Sequence, residues 1–203
     1  MSKVFECKSE IDEEMGDYIL KTGHAEEVYR LLECLKKYSI ETYEHSLAVT
    51  HLSGDLGESL NYERKDVIRL KISGLLHDIG KITIPLSILH KKGVLLHKEK
   101  ECMQTHADAG YRLLLPCIND VRVLLGVRQH HERLNGTGYP DKLSTGITEF
   151  AKIVMLADVY DGMTRKRVYR SEKISVANAK RIMEKEQSGY ETSYLQMFLQ
   201  NVV

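Results

Sequence analysis

Apolar residues recur along the chain at helical spacing. Val28, Leu31, Leu32 and Leu35 follow an i, i+3, i+4, i+7 rhythm, and Ile68, Ile72, Leu75, Leu76 and Ile79 repeat it in a second segment. Residues 98–115 and 119–131 read as two more helices, separated by Pro116. Residues 147–165 predict another, with Ile153, Leu156, Val159, Tyr160 and Met163 on its apolar stripe. Residues 174–187 and 191–202 complete the set. No segment sustains a period of two, so strands are minor or absent. Pro85 and Pro140 fall between helices, and the longest turn-rich stretch is NGTGYPDKLSTG, from Asn135 to Gly146. There is no repeat, low-complexity tract or linker. The expectation is one all-α domain over 24–203, preceded by an extension, 1–23, that is loose or helical.

Composition narrows the class. The chain has 203 residues, 42% hydrophobic and 29% charged, which is globular and excludes a disordered polyampholyte. Lys+Arg and Asp+Glu are both 29, so the net charge is 29 − 29 = 0 and no general affinity for nucleic-acid polymers is expected. The N-terminal stretch has no apolar core of a signal peptide, and no run approaches the roughly 18 apolar residues of a membrane span. The four cysteines, Cys7, Cys34, Cys102 and Cys117, form no CxxC and read as ordinary thiols in a reducing cytoplasm. A cytoplasmic chain without a membrane partner is expected.

The nine histidines change the picture. Glu41 and His45 lie four apart on one helical face, which alone fits a surface pair. His77-Asp78 closes an apolar helix in LLHDIGK, with Gly80 at the place of a left-handed C-cap. Buried there, both side chains are costly unless paired or metal-bound. His106 follows in QTHADAG, His130-His131 in RQHHERLNG, and Asp158 in MLADVYDG, with Asp161 one turn further on. Leaving Asp161 aside, these five imidazoles and three carboxylates exceed the capacity of one ion. Either some are not ligands or the site is polynuclear, and a polynuclear site needs a bridging carboxylate. Asp78, in the middle of the series, is the bridging candidate. Nitrogen and oxygen donors without thiolate favour iron or manganese over structural zinc. Two divalent ions against three carboxylates leave a slightly positive centre, suited to an anionic substrate. His24, His51, His90 and His97 lie outside these motifs and read as solvent-facing.

The ordered segments ETYEHSLAV, GLLHDIGKITIP, the His106 stretch, HHERLNGTGYP and LADVYDGMTRKRVYR resemble the HD-GYP family, a bacterial branch of the HD phosphohydrolases. The resemblance runs from about residue 41 to about residue 170. It implies an all-α, single-domain helical bundle of the HD phosphohydrolase type, with about seven or eight helices. It implies a metal-dependent phosphodiesterase that hydrolyses cyclic di-GMP to linear pGpG and often onward to GMP. By the same resemblance His45, His77, Asp78 and Asp158 hold one metal, and Asp78 with His106, His130 and His131 a second. Glu41 matches a position that adds a third metal in some members. Lys81 matches a phosphate-contacting lysine, Gly138, Tyr139 and Pro140 a loop shaping the nucleotide pocket, and Arg167 and Arg170 contacts to the second phosphate. Asp161, beside them, reads as a substrate-side residue, as an orienting residue or as an ordinary polar helix position. Two or three divalent ions, iron or manganese, are the implied cofactors, and a diguanylate cyclase domain is a conceivable protein partner. Gly162 and Val168 depart from the usual Ala and Pro, which bears on how Arg167 and Arg170 are aimed. The alternatives are an enzyme for another cyclic dinucleotide or nucleotide, and a weakly active cyclic di-GMP-binding module.

Overall fold

The computed structural model describes residues 6–165 and 174–203, and no strand occurs among them. A 3-10 turn, Glu6–Glu10, leads into α1 (Glu13–Lys21), α2 (Ala25–Tyr38), α3 (Ile40–Ser59) and α4 (Arg64–Leu76). A second 3-10 turn, Ile79–Thr83, is followed by the single turn α5 (Leu86–Leu89), then α6 (His97–Gln104), α7 (His106–Leu114), α8 (Val121–Gln129) and α9 (Glu149–Thr164). After α10 (Val176–Lys185) comes the turn Gln187–Gly189, and α11 (Thr192–Asn201) ends the series. Ten of the described α-helices have eight residues or more, against the seven or eight expected.

Two local effects account for the difference. The first 23 residues contain α1, which puts Met15 and Ile19 into the same apolar cluster as Leu32, Tyr43 and Leu75, with Cys7 beside them. The stretch expected as one helix over 98–115 is broken at Thr105. There the Thr105 hydroxyl donates to Cys102 O (2.7 Å) and His106 Nδ1 donates to Met103 O (2.7 Å). Side chains thus take carbonyls that a continuous helix would use.

Caps set the register of the helices that matter most. Ser39 Oγ accepts the Thr42 N–H at the start of α3, and Thr148 Oγ1 accepts that of Ala151 at the start of α9. Glycines line the α3–α4 seam: a Cβ on Gly74 would lie 3.0 Å from Thr50 Cα and Val49 O, and one on Gly57 2.7 Å from Leu70 Cδ1, so the two helices lie close. One apolar cluster gathers α1, α2, α4 and α8, and a second gathers α9, α10 and α11 around Phe150, Leu156 and Phe198. His45 from within α3, His77 at the end of α4, His130 at the end of α8 and Asp158 from within α9 are brought together.

Gly80 is not the left-handed cap that its place after α4 suggests. It lies inside the Ile79–Thr83 turn and is absent from the glycines with positive φ. Its lack of a side chain serves a close approach instead: a Cβ there would lie 2.0 Å from His106 O and 2.5 Å from Gly110 N. Both are backbone atoms, so neither can move aside alone. The contact seats the Ile79–Thr83 turn on α7 and brings Asp78 next to His106. Gly80→Ala is therefore expected to cost about 3 kcal/mol or more, which for a chain of this size lowers the melting temperature by about 6–12 °C. A thermal melt by circular dichroism within 1 °C of the parent, at about 0 kcal/mol of change, would contradict this packing.

Candidate metal centre

Three of the histidines sit where helices end, and each is pinned in the same way. His77 Nδ1 donates to Gly74 O (2.8 Å), His106 Nδ1 to Met103 O (2.7 Å) and His130 Nδ1 to Val127 O (2.6 Å). A carbonyl can only accept, so Nδ1 carries a proton, and in the neutral imidazole, the form that binds a metal, Nε2 carries a lone pair. Those carbonyls belong to the last turns of α4, α6 and α8, where no helical N–H remains to bind them. Ring orientation and helix termination are thereby one hydrogen bond.

The freed nitrogens converge on Asp78, which is fully buried. Asp78 Oδ1 lies 3.2 Å from His106 Nε2, while Oδ2 lies 3.3 Å from His77 Nε2 and 3.8 Å from His45 Nε2. Two donor groups result: His45, His77 and Asp78 in one, and Asp78, His106, His130 and His131 in the other. Asp158 reaches both, with Oδ1 2.9 Å from His45 Nε2 and Oδ2 3.7 Å from His131 Nδ1. Glu41, one turn before His45 on α3, is half-buried and belongs to neither group.

The donors fit divalent cations. His77 Nε2 and Asp78 Oδ1 are buried without a hydrogen-bond partner. His106 Nε2 and His130 Nε2, both lone-pair atoms, face each other at 3.3 Å. A cation bound at about 2.1 Å from each would turn that opposition into shared ligation. Protonation states agree. Burial alone would raise the Asp78 carboxyl, yet the surrounding imidazoles, His77 foremost, and the Lys81 ammonium hold it well below the usual range. Asp158 is held down in the same way by His45 and His131. Burial, reinforced by His77 and His106, lowers His130 to about 3. His131 is likewise lowered by burial and by His130. His45 differs: burial opposes its charge, but Asp158 and Asp161 raise it overall.

Asp161 stands behind His45, accepting from Nδ1 at 2.6 Å. Arg165 grips the same carboxylate through Nε (2.6 Å) and Nη2 (3.2 Å) and donates to Glu44 O (3.1 Å). Arg165 is thus part of an Arg165–Asp161–His45 chain that fixes which nitrogen of His45 faces the centre. Lys81 Nζ donates to Asp78 Oδ2 at 2.5 Å. Arg167 and Arg170 lie outside the described residues.

The family model described as HD domain matches residues 28–192. The chain belongs to the HD-domain family. Its curated relatives include a cyclic di-GMP phosphodiesterase of Thermotoga maritima, 38% identical over 152 residues, 72% of this chain and 41% of that protein. A cyclic di-GMP phosphodiesterase of Pseudomonas aeruginosa is 38% identical over 138 residues, 67% of this chain and 33% of that one. A 3′3′-cGAMP-specific phosphodiesterase of Vibrio cholerae is 36% identical over 149 residues, 72% of this chain and 34% of that protein. The chain therefore spans well under half the length of these relatives. Among solved structures, the HD domain of the Listeria monocytogenes phosphodiesterase PgpH with cyclic-di-AMP has a TM-score of 0.66 at 14% identity, covering 85% of this chain and 93% of that one. An HDG"Y"P protein from Bdellovibrio bacteriovorus has a TM-score of 0.65 at 21% identity, covering 91% of this chain and 60% of that one. At such identity these structures establish the fold alone.

In this HD domain the loop after α8 is fastened to the histidines. Gly138 is buried so tightly that a Cβ would lie 2.5 Å from His131 O, Glu132 Cα and Arg133 N. Tyr139 donates its N–H to His131 O (3.1 Å), and its ring stacks on the His131 ring with centroids 4.5 Å apart. The Tyr139–Pro140 bond is cis. Sequence reasoning passed over Glu132, which is fully buried and accepts N–H bonds from Asp141 (2.7 Å) and Leu143 (2.8 Å). It also passed over Arg128, which joins Asp108 on α7 to Asp141 in the loop. The available signal was the carboxylate directly after His130-His131, where burial demands partners. His24, His51, His90 and His97 are exposed, as their position outside the motifs suggested. No helix among the described residues is long and apolar enough to cross a membrane.

Two outcomes test this geometry. Because Asp78 belongs to both donor groups and His45 to one, metal analysis after loading with manganese should find both ions lost in Asp78→Ala and one lost in His45→Ala. Equal stoichiometry in the two variants would contradict the shared carboxylate. Glu132→Ala leaves two loop N–H groups unpaired and should cost about 2–3 kcal/mol, with faster amide exchange at Asp141 and Leu143. Unchanged exchange at both amides would show that Glu132 does not hold the loop.

Proposed function

We propose that this HD domain is a metal-dependent phosphodiesterase that hydrolyses cyclic di-GMP to pGpG in the cytoplasm, with GMP as the product of any second hydrolysis. Residues 24–203 would be the catalytic unit. The observation that carries this reading is Asp78, buried with one oxygen turned to each of two histidine groups. His45, His77, Asp78 and Asp158 would hold one divalent ion, and Asp78, His106, His130 and His131 the second. Iron or manganese suits the nitrogen and oxygen donors. Glu41 is close enough in sequence to His45 to serve a third ion. When bound, such ions supply water activation at neutral pH and stabilisation of charge on the phosphoryl oxygens.

The chain's own residues do the rest. Hydrolysis joins the water oxygen to phosphorus, breaks the bond to the 3′ oxygen and returns a proton to that oxygen. Lys81, now on Asp78 Oδ2, is a short swing from any phosphate brought to the centre and would neutralise its nonbridging oxygens. Asp161 and Arg165 hold the His45 tautomer throughout. Gly138, Tyr139 and Pro140 wall the site beside His131 and would meet the nucleotide, with Arg167 and Arg170 receiving the distal phosphate as bidentate donors. Relatives acting on cyclic di-GMP and on 3′3′-cGAMP stand at nearly equal identity, which supports a second reading in which the substrate is a mixed cyclic dinucleotide.

Turnover of both dinucleotides by the manganese- and iron-loaded chain, followed by product chromatography, tests the reading. Cyclic di-GMP should yield pGpG first. Asp78→Ala should lower kcat/KM by about 100-fold or more, and Lys81→Ala by about 100-fold with metal content kept. A higher kcat/KM on 3′3′-cGAMP would select the second reading. Full metal loading without product from either substrate would overturn both.

A further inference from the structure

The hairpin made by α5 and α6 is unlike the rest of the molecule, because neither helix carries a buried residue. At its tip stand Val94, 90% exposed, and Leu96, 67% exposed, the two most exposed large hydrophobic residues among those described. Leu96 occupies the N-cap of α6. Leucine is among the poorest residues there, since it offers no acceptor to the first turn. Glu99 accepts the Leu96 N–H at 2.7 Å, but no reciprocal side-chain bond forms. Leu96 thus serves neither the cap nor the core. Gly93, at φ +100°, turns the chain so that Val94 projects.

Basic residues surround this apolar tip. Lys91 is bonded to Glu99 (2.5 Å), while Lys92, Lys98 and Lys100 have no carboxylate partner among the described residues. Residues 85–104 contain four lysines and two glutamates, 4 − 2 = +2, in a chain whose net charge is zero. The tip is small. A stable protein partner needs about 800 Å² per side, far more than two side chains on a turn present. A bilayer surface needs less: a few apolar side chains to enter the headgroup region, with lysines to meet anionic lipid.

We propose that residues 91–100 form a peripheral docking tip for an anionic lipid bilayer, with Val94 and Leu96 inserting and Lys92, Lys98 and Lys100 facing the headgroups. Docking of this kind needs no spanning helix. The hairpin runs from Lys81, beside Asp78, to His106, so a docked tip would hold the metal centre near the membrane. The proposal does not depend on the reaction the centre performs.

Co-sedimentation of the full chain with vesicles tests it. Binding is expected to phosphatidylcholine vesicles containing about one-third phosphatidylglycerol, at low salt, and not to phosphatidylcholine alone. Raising the salt should release the protein. Val94→Asp/Leu96→Asp should weaken binding by about tenfold or more, and Lys92→Glu/Lys98→Glu likewise, with unchanged metal content and circular dichroism in both. The chain has no tryptophan, so Leu96→Trp gives a single reporter whose emission should shift to the blue on the anionic vesicles only. Failure of the parent chain to sediment with anionic vesicles would overturn the proposal. So would undiminished binding by the Val94→Asp/Leu96→Asp variant. A blue shift that follows protein concentration without vesicles would assign the tip to a second copy of the chain instead.

Discussion

A single buried carboxylate organises the centre of this protein. Asp78 has one oxygen near His106 and the other near His45 and His77. A buried anion in an apolar surround is tolerated only if opposite charge or donors surround it. Here the local supply is Lys81 and a ring of imidazoles, and two buried polar atoms in the ring still lack partners. The electrostatics of the whole site follow from this: carboxylates held ionised, His130 and His131 held neutral, and His45 drawn toward charge by the two aspartates beside it.

The fold meets that demand with helix ends. His77, His106 and His130 each spend Nδ1 on a carbonyl left open at the end of a helix, and present Nε2 inward. Each helix must end where its histidine stands, and each histidine is oriented because its helix ends there. Close backbone approach at Gly80 then lays the Asp78 turn against α7. Glu132 and Arg128 extend the same economy to the loop of Gly138, Tyr139 and Pro140, so that the Tyr139 ring is fixed on His131. Donor groups and the loop of Gly138, Tyr139 and Pro140 are consequently fastened together, while α5 and α6 carry no buried residue.

The helical class, the main apolar stripes and the donor-rich motifs were legible along the chain, because each is carried by residues within a turn or two of one another. Periodicity locates α2, α4, α9, α10 and α11, and the HD and HHE…GYP motifs locate the histidines. The break at Thr105 was not legible, since it turns on side chains capturing carbonyls within an otherwise continuous pattern. Nor was α1 as part of the core: its apolar face acquires meaning only against Leu32 and Tyr43.

The sequence by itself determined which residue types reach the centre and in what order. Only the tertiary structure decided how they divide. His45 and Asp161 are 116 residues apart, and His45 and Asp158 are 113 apart. No local pattern distinguishes a carboxylate that faces the centre from one that stands behind a histidine. The same holds for Arg165, which is folded onto Asp161, and for Glu132, whose partners lie across a loop. Leu96 is the converse case: in sequence it is one more apolar residue, and in the fold it has nothing to pack against. Burial and orientation are properties of the packed chain, because they depend on which helices meet.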